Sequence, residues 1–185
     1  MEGGAVVTND DELAEAMRLI RNFGFKGYDN VIHPGTNGKM IEVCAAMGLT
    51  NLDALDEVMA TNRAKHSAYK DAFAEVPGVS VLDYDPTERN SYHYVVLEVD
   101  DRFAVSRDRI VAALHAENIL ARKYFWPSCH GMQPYRDLFP HARLMLPNTE
   151  RVAKAVIVLP TGPTLPENTI RTIASLCRVM ADDRA

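Results

Sequence analysis

Apolar residues at Leu13, Ala16, Met17, Ile20 and Phe23 recur every three or four positions, the spacing of one helical face. Asn9 and Asp10 precede that run as candidate N-caps. Asp11 and Glu12 put negative charge where a helix N-terminus favours it, and Gly24 is placed to stop the helix. Just before it, Gly4-Ala5-Val6-Val7-Thr8 reads as a short buried strand. One strand cannot satisfy its own backbone groups, so residues 1–50 are expected to need partners from outside this chain, as the tail of a larger α/β layer would. Residues 24–38 form a loop punctuated by Gly24, Gly27, Pro34, Gly35 and Gly38. Loops of this length without structure of their own are often functional. A helix from about Met40 to Met47, ending at Gly48, is expected next.

A long helix is expected from about Leu52 to Glu75. Leu52, Leu55, Met59, Asn62, His66, Tyr69 and Phe73 alternate spacings of three and four along a narrow seam. Pro77-Gly78 ends it. Asn62 and His66 are the polar members, expected at the seam's edge with a neighbouring backbone group as partner. Beyond it the pattern alternates. Val79–Leu82, Tyr92–Val99, Ile119–Tyr124 and Val156–Leu159 read as strands. Ser106 caps a helix carrying Ile110, Val111, Ala113 and Leu114. Thr164 with Glu167 makes a capping box, with Pro166 in the first turn, for a last helix with Ile170, Ile173, Leu176, Cys177 and Met180 as its stripe. Three or four strands with intervening helices predict an α/β sandwich with helices on one sheet face. There is no internal repeat, low-complexity tract or linker, so the long helix is the expected connector between the two parts.

Composition narrows the function classes. The chain has 185 residues, of which 47% are hydrophobic and 24% charged, an ordinary globular balance. A net charge of −5 leaves no basic surplus for nucleic-acid backbone. No apolar run approaches the ~20 residues of a membrane span, and Met1-Glu2-Gly3-Gly4 lacks the features of a signal peptide. Cys44, Cys129 and Cys177 are odd in number and far apart, which argues against a disulfide framework and for a reducing, cytoplasmic setting.

Two segments carry candidate chemistry. His33-Pro34-Gly35-Thr36-Asn37-Gly38-Lys39-Met40 looks superficially like a phosphate-binding P-loop. However, the first glycine of that template falls on His33, and Met40 replaces the magnesium-binding Ser/Thr. Two readings stand: a Gly-Thr-Asn-Gly-Lys cradle that offers N–H groups, an amide and a cation to an anion, or a glycine-rich turn that merely starts a helix. The second segment is Arg122-Lys123-Tyr124-Phe125-Trp126-Pro127 with Cys129-His130 and Gln133-Pro134-Tyr135-Arg136. It reads either as a loop lining a polar-aromatic ligand site or as a surface loop whose aromatics cover the sheet edge. Adjacency of Cys129 and His130 does not make a nucleophile–base pair. No C-x-x-C or H-E-x-x-H spacing suggests a metal.

The whole set resembles the DegT-type sugar-nucleotide aminotransferases, which use pyridoxal phosphate. The resemblance runs through Glu2-Gly3-Gly4-Ala5-Val6-Val7-Thr8-Asn9-Asp10 and Leu19-Ile20-Arg21-Asn22-Phe23-Gly24. It continues through Gly35-Thr36-Asn37-Gly38-Lys39-Met40, Glu42 and Ala45-Ala46-Met47-Gly48-Leu49. Arg63 and Tyr69 hold expected long-helix positions. The C-terminal marks are Arg122-Lys123-Tyr124-Phe125, Cys129-His130, Pro134-Tyr135 and Val158-Leu159-Pro160. Arg-Lys-Tyr-Phe with Cys-His is most similar to members that aminate C4 of a dTDP-linked 4-keto-6-deoxy sugar.

That resemblance implies the C-terminal part of a type I (aspartate aminotransferase-like) fold. Residues 1–50 would be the end of a large cofactor domain, and residues 51–185 a small α/β domain entered by the long helix. It implies a cytoplasmic homodimer with active sites between subunits, a nucleotide-linked keto sugar as substrate and an amino-acid donor, glutamate. Asn37 would contact the phosphate of the neighbour's pyridoxal phosphate, and Lys39, Arg122, Tyr124 and His130 would face the nucleotide sugar. The family's Schiff-base lysine lies a few residues before Glu-Gly-Gly, which places it upstream of Met1. Lys26, Lys39, Lys65, Lys70, Lys123 and Lys154 do not stand in its motif. No catalytic residue is therefore assigned, and the chain alone is expected to be inactive. The rival reading is a non-catalytic module that binds a nucleotide sugar or a partner subunit.

Overall fold

The computed structural model describes residues 2–182, except for the side chain of Glu167. The described chain forms two units, one up to Leu55 and one from Asp56.

In the first unit, α1 spans Asp11–Arg21. Asp10 caps it, its carboxylate accepting the Leu13 N–H at 3.0 Å, and Arg18 and Arg21 suit the negative end of the helix dipole. Gly24 turns the chain with φ +81°, and a Cβ there would lie 1.7 Å from the His33 carbonyl oxygen, so only glycine fits. α2 spans Glu42–Asp53. It starts later than Met40 and runs through Gly48, contrary to the stop expected there. Ala45, Ala46, Met47, Leu49 and Leu52 are good helix formers, and together they outweigh the roughly 1 kcal/mol cost of one interior glycine. The segment 4–8 is not a strand. It finds no ladder partner among the described residues, and β-branched composition alone does not supply one.

The second unit opens with α3, Leu55–Phe73. The expected start at Leu52 is wrong, because Ala54 at φ −90°, ψ 0° separates α2 from α3. Three strands follow: β1 (Val79–Val81), β2 (Val95–Val99) and β3 (Val156–Leu159). They form an antiparallel sheet with β2 in the middle, pairing Val81 with Leu97 and Leu97 with Ile157. The expected strand 119–124 reduces to one bridge between Arg122 and Val158. Asn118 sits at φ +58° and the Ala121 N–H turns back to the Ile119 carbonyl, so only one residue reaches the β3 edge.

Val95, Leu97 and Val99 alternate onto one face of β2. There they meet Tyr69 and Phe73 of α3, Ile110, Val111 and Leu114 of α4 (Arg107–Ala116), and Ile170, Ile173 and Cys177 of α8 (Glu167–Asp182). Each such side chain gains about 1.5–3 kcal/mol from burial. Burial also pushes the Cys177 thiol up to about 11. Ser106 caps α4 as expected, its hydroxyl accepting the Arg109 N–H. The capping box at Thr164 and Glu167 involves the side chain that lies outside those described.

Asn62 and His66 are buried, not at the seam's edge as expected, and each has a backbone partner, although Asn62 Oδ1 has none among the described residues. The Asn62 amide donates to the Ser91 carbonyl, the His66 ring meets the Leu82 carbonyl at 3.0 Å, and the Tyr69 hydroxyl donates to the Pro160 carbonyl at 2.8 Å. Lys65 holds the Gly162 and Leu165 carbonyls. One face of α3 therefore fastens the loops that leave β1 and β3. Between β2 and β3 lie α4, a 3-10 turn at Cys129–Gly131, α5 (Tyr135–Leu138), α6 (Ala142–Met145) and α7 (Pro147–Ala155).

Candidate functional site

In the first unit, the loop 24–38 folds back on the end of α1. The Phe23 N–H donates to the Thr36 carbonyl, the Thr36 N–H to Ile20, and the Gly38 N–H to Arg21. The cradle of free backbone N–H groups expected around Asn37 is therefore not formed, because neighbouring donors are already paired. The positive end of a helix is absent there too. α2 begins only at Glu42, and Glu42 itself adds a negative charge. What remains for an anion is side-chain chemistry. Asn37 bridges to Asn22 through its backbone and stands exposed. Lys39 donates to the Asn22 side-chain oxygen at 3.1 Å, with its ammonium 4.4 Å from the Phe23 ring centre. An exposed amide at Asn37 and an ammonium at Lys39 are the groups of this loop whose chemistry fits the phosphate end of a cofactor.

In the second unit, Arg122 docks on the β3 edge, exchanging backbone bonds with Val158 at 2.9 and 2.7 Å. Its guanidinium lies 4.3 Å from the Tyr124 ring centre, and Tyr124 stacks on Phe125 at 4.6 Å. Tyr94 meets Tyr124 edge-on at 6.4 Å. With Leu82, Tyr84, Val96 and Val158 these rings enclose a cavity of about 380 Å³ on the outer face of the sheet. The aromatics of this loop thus lie over the outer face of the sheet, while the Arg122 backbone alone meets its edge.

A second cavity, about 610 Å³, lies between this loop and α7. Tyr124, Phe125, Cys129 and His130 line one side, and Asn148, Thr149 and Val152 the other. The His130 ring meets the Glu150 carboxylate at 2.7 Å, and Glu150 also holds Arg143 at 3.1 Å and Lys154 at 3.7 Å. The hydrogen bond from His130 is the chief reason that the Glu150 carboxyl lies below its usual range. His130 is thus engaged by a carboxylate rather than by Cys129, which is exposed.

Of the expected site residues, Arg122 and Tyr124 are brought into contact, and His130 shares a cavity with Tyr124. Asn37 and Lys39 belong to the other unit. Lys65, Lys70, Lys123 and Lys154 are held by carbonyl or carboxylate oxygens of Leu165, Asp83, Asp108 and Glu150. Sequence reasoning missed Tyr84 and Tyr94, which only the sheet brings to the loop, and Glu150, which sits twenty residues after its histidine. Among the described residues, no helix is long and apolar enough to cross a membrane.

A family model described as the DegT/DnrJ/EryC1/StrS aminotransferase family matches residues 1–178. The dTDP-4-amino-4,6-dideoxy-D-glucose transaminase of Escherichia coli is 33% identical over 175 residues, covering 95% of this chain and 47% of that protein. Among solved structures, DesI in the presence of its TDP-sugar product superposes with a TM-score of 0.85 at 44% identity, over 96% of this chain and 45% of that one. S. venezuelae DesV superposes with a TM-score of 0.84 at 27% identity, over 95% of this chain and 46% of that one. The chain spans about half the length of the curated relatives it matches. Its fold is that of the C-terminal part of a type I, aspartate aminotransferase-like transferase.

Proposed function

The chain belongs to the DegT/DnrJ/EryC1/StrS aminotransferase family, and from that premise we propose that it forms the C-terminal portion of a sugar aminotransferase. Residues 1–50 end a large cofactor domain and residues 51–185 form the small domain. The enzyme is a cytoplasmic homodimer that moves an amino group from glutamate to C4 of a dTDP-linked 4-keto-6-deoxy sugar. Pyridoxal phosphate, when bound, supplies the electron sink for that transfer. Asn37 donates its amide to the phosphate across the dimer interface.

The roles of the remaining residues follow from their chemistry. Arg122 supplies a cation for the diphosphate, and Lys39 offers another within its own unit. Tyr124, with Phe125 and Tyr94 beside it, packs on sugar or base, as aromatic faces do. His130, fixed by Glu150, lines the adjoining cavity. None of the six lysines stands in the family's Schiff-base motif, and none is assigned a catalytic role.

The observation that carries the reading is the contact of Arg122 with Tyr124, a residue that lines an aromatic cavity, in a chain whose match to the family runs from residue 1 to 178. Calorimetric titration with TDP and with a TDP-linked deoxysugar tests it. Saturable binding is expected, weakened about ten- to a hundredfold by Arg122→Ala, which removes a charged partner worth about 1.5–3 kcal/mol. Equal affinity in wild type and Arg122→Ala would contradict it. Binding that is never followed by transamination in the assembled enzyme would favour a non-catalytic module.

A further inference from the structure

We propose that Arg107 and Asp108, at the start of α4, are positioning residues that hold the 122–131 loop in its ligand-facing conformation. The inference rests on reading that loop as ligand-binding. Arg107 is only 5% exposed, although it is a cation in the first turn of a helix, where the dipole disfavours positive charge. A buried guanidinium needs compensation, and Arg107 makes three hydrogen bonds through Nε and Nη1. Its Nη1 donates to the Ala153 carbonyl at 3.0 Å and the Val156 carbonyl at 2.8 Å, and its Nε to Asp108 at 2.7 Å. Its planar face lies 5.3 Å from the Trp126 ring centre.

Each contact bears on the loop. Ala153 and Val156 lie at the C-terminal end of α7, where helix carbonyls lack internal partners, so Arg107 caps the helix that carries Glu150 and hence orients His130. Asp108 also receives Lys123 at 3.3 Å. The dyad thus grips the loop at Lys123 and at Trp126, on either side of Tyr124 and Phe125. Burial alone would raise the Asp108 carboxyl, but the two cations bring it below its usual range. Neither residue lines the two cavities, so their action on a ligand is indirect.

Trp126 is the sole tryptophan of the chain, which makes its emission a direct reporter. The test combines acrylamide quenching of Trp126 with TDP titration in wild type, Arg107→Lys, Arg107→Met and Asp108→Asn. Lysine keeps the charge but cannot bond two carbonyls while stacking on the indole. Both Arg107 variants are expected to raise Trp126 quenching and to weaken TDP binding roughly tenfold, since small misplacements of binding groups are costly. Asp108→Asn shifts both in the same direction by less. Amide exchange in β2 stays at the wild-type level. A folded Arg107→Lys with unchanged quenching and unchanged TDP affinity overturns the proposal, as does a loss of β2 protection that accompanies every change at Trp126. If Arg107→Met does not fold, Arg107→Lys decides. If the wild-type chain takes no TDP, the ligand reading of the loop fails, and Trp126 quenching alone decides the positioning role.

Discussion

The two units put apolar residues to opposite uses. α1 is strongly amphipathic, yet neither α1 nor α2 buries a single residue. Ile20, on the stripe of α1, remains 39% exposed, and Val43 on α2 remains 62% exposed. From Asp56 onward the same kinds of residue close a continuous core, with Leu97, Ile110, Ile157 and Ile173 fully buried. Caps and periodicity suffice to write a helix, but the stability of a helix comes mainly from what its apolar face packs against. The second unit contains that packing. The first displays an exposed apolar stripe and a folded loop bearing Asn37 and Lys39.

The largest expected effect separates the units directly. Hydrogen exchange should show amides of α1 and α2 opening almost freely, while β2 and α8 open only with global unfolding. For a domain stable by about 5 kcal/mol or more, that is a difference in protection of roughly three orders of magnitude or more. Uniform protection along the chain would erase the distinction. Truncation sharpens it. Leu97→Ala should cost about 2–5 kcal/mol in denaturant unfolding, as buried large-to-small changes do, whereas Ile20→Ala should cost far less in the same titration. Equal losses would mean that α1 packs in solution as the core does.

A smaller effect addresses the role of the first unit. In the cofactor-loaded enzyme, Asn37→Ala should weaken pyridoxal phosphate binding by about 1.5–3 kcal/mol without moving the unfolding midpoint of the second unit's core. An unchanged cofactor dissociation constant would make Asn37 a turn residue. The smallest effect is a pH dependence within the second unit. Glu150 is held below its usual value near 4.5, first by its bond from His130. A carboxyl depressed in the folded state stabilises fully above its unfolded value, and that stabilisation is lost as pH falls through the lowered folded value. Glu150→Gln should therefore flatten stability loss below about pH 4.5 and leave a protein less stable at neutral pH. Parallel wild-type and variant curves through the acid range would remove Glu150 from the account.

Local signals in the sequence were sound where the deciding physics was local. Asp10 and Ser106 cap the helices expected of them, Gly78 turns the chain at φ +77° after α3, and β2 and β3 fall within their β-branched runs. Failures occurred where a distant partner decides. Segments 4–8 and 119–124 have strand composition, but pairing is a property of two segments, and among the described residues only Arg122 of these segments finds a partner. Gly48 shows the other limit, since a glycine stops a helix only if the chain leaves the helical conformation there. Arg122, Tyr124 and His130 stand in one loop of the sequence, and the structure sets Arg122 against Tyr124 and puts His130 in a cavity that Tyr124 also lines. Tyr94, Glu150 and Arg107 were not legible there, because the sheet and α7 bring them in from 28 residues before Arg122 to 28 residues after it. Arg107 left one sign in the sequence: a cation directly after a helix cap, against the dipole.

We propose that the 122–131 loop binds a sugar nucleotide and that none of the lysines present bonds pyridoxal phosphate. Incubation with pyridoxal phosphate, reduction with borohydride and peptide mapping test it most directly. The account predicts no stoichiometric adduct and only scattered substoichiometric labelling across the exposed lysines. Full labelling of a single lysine, accompanied by a shifted absorbance band, would contradict it.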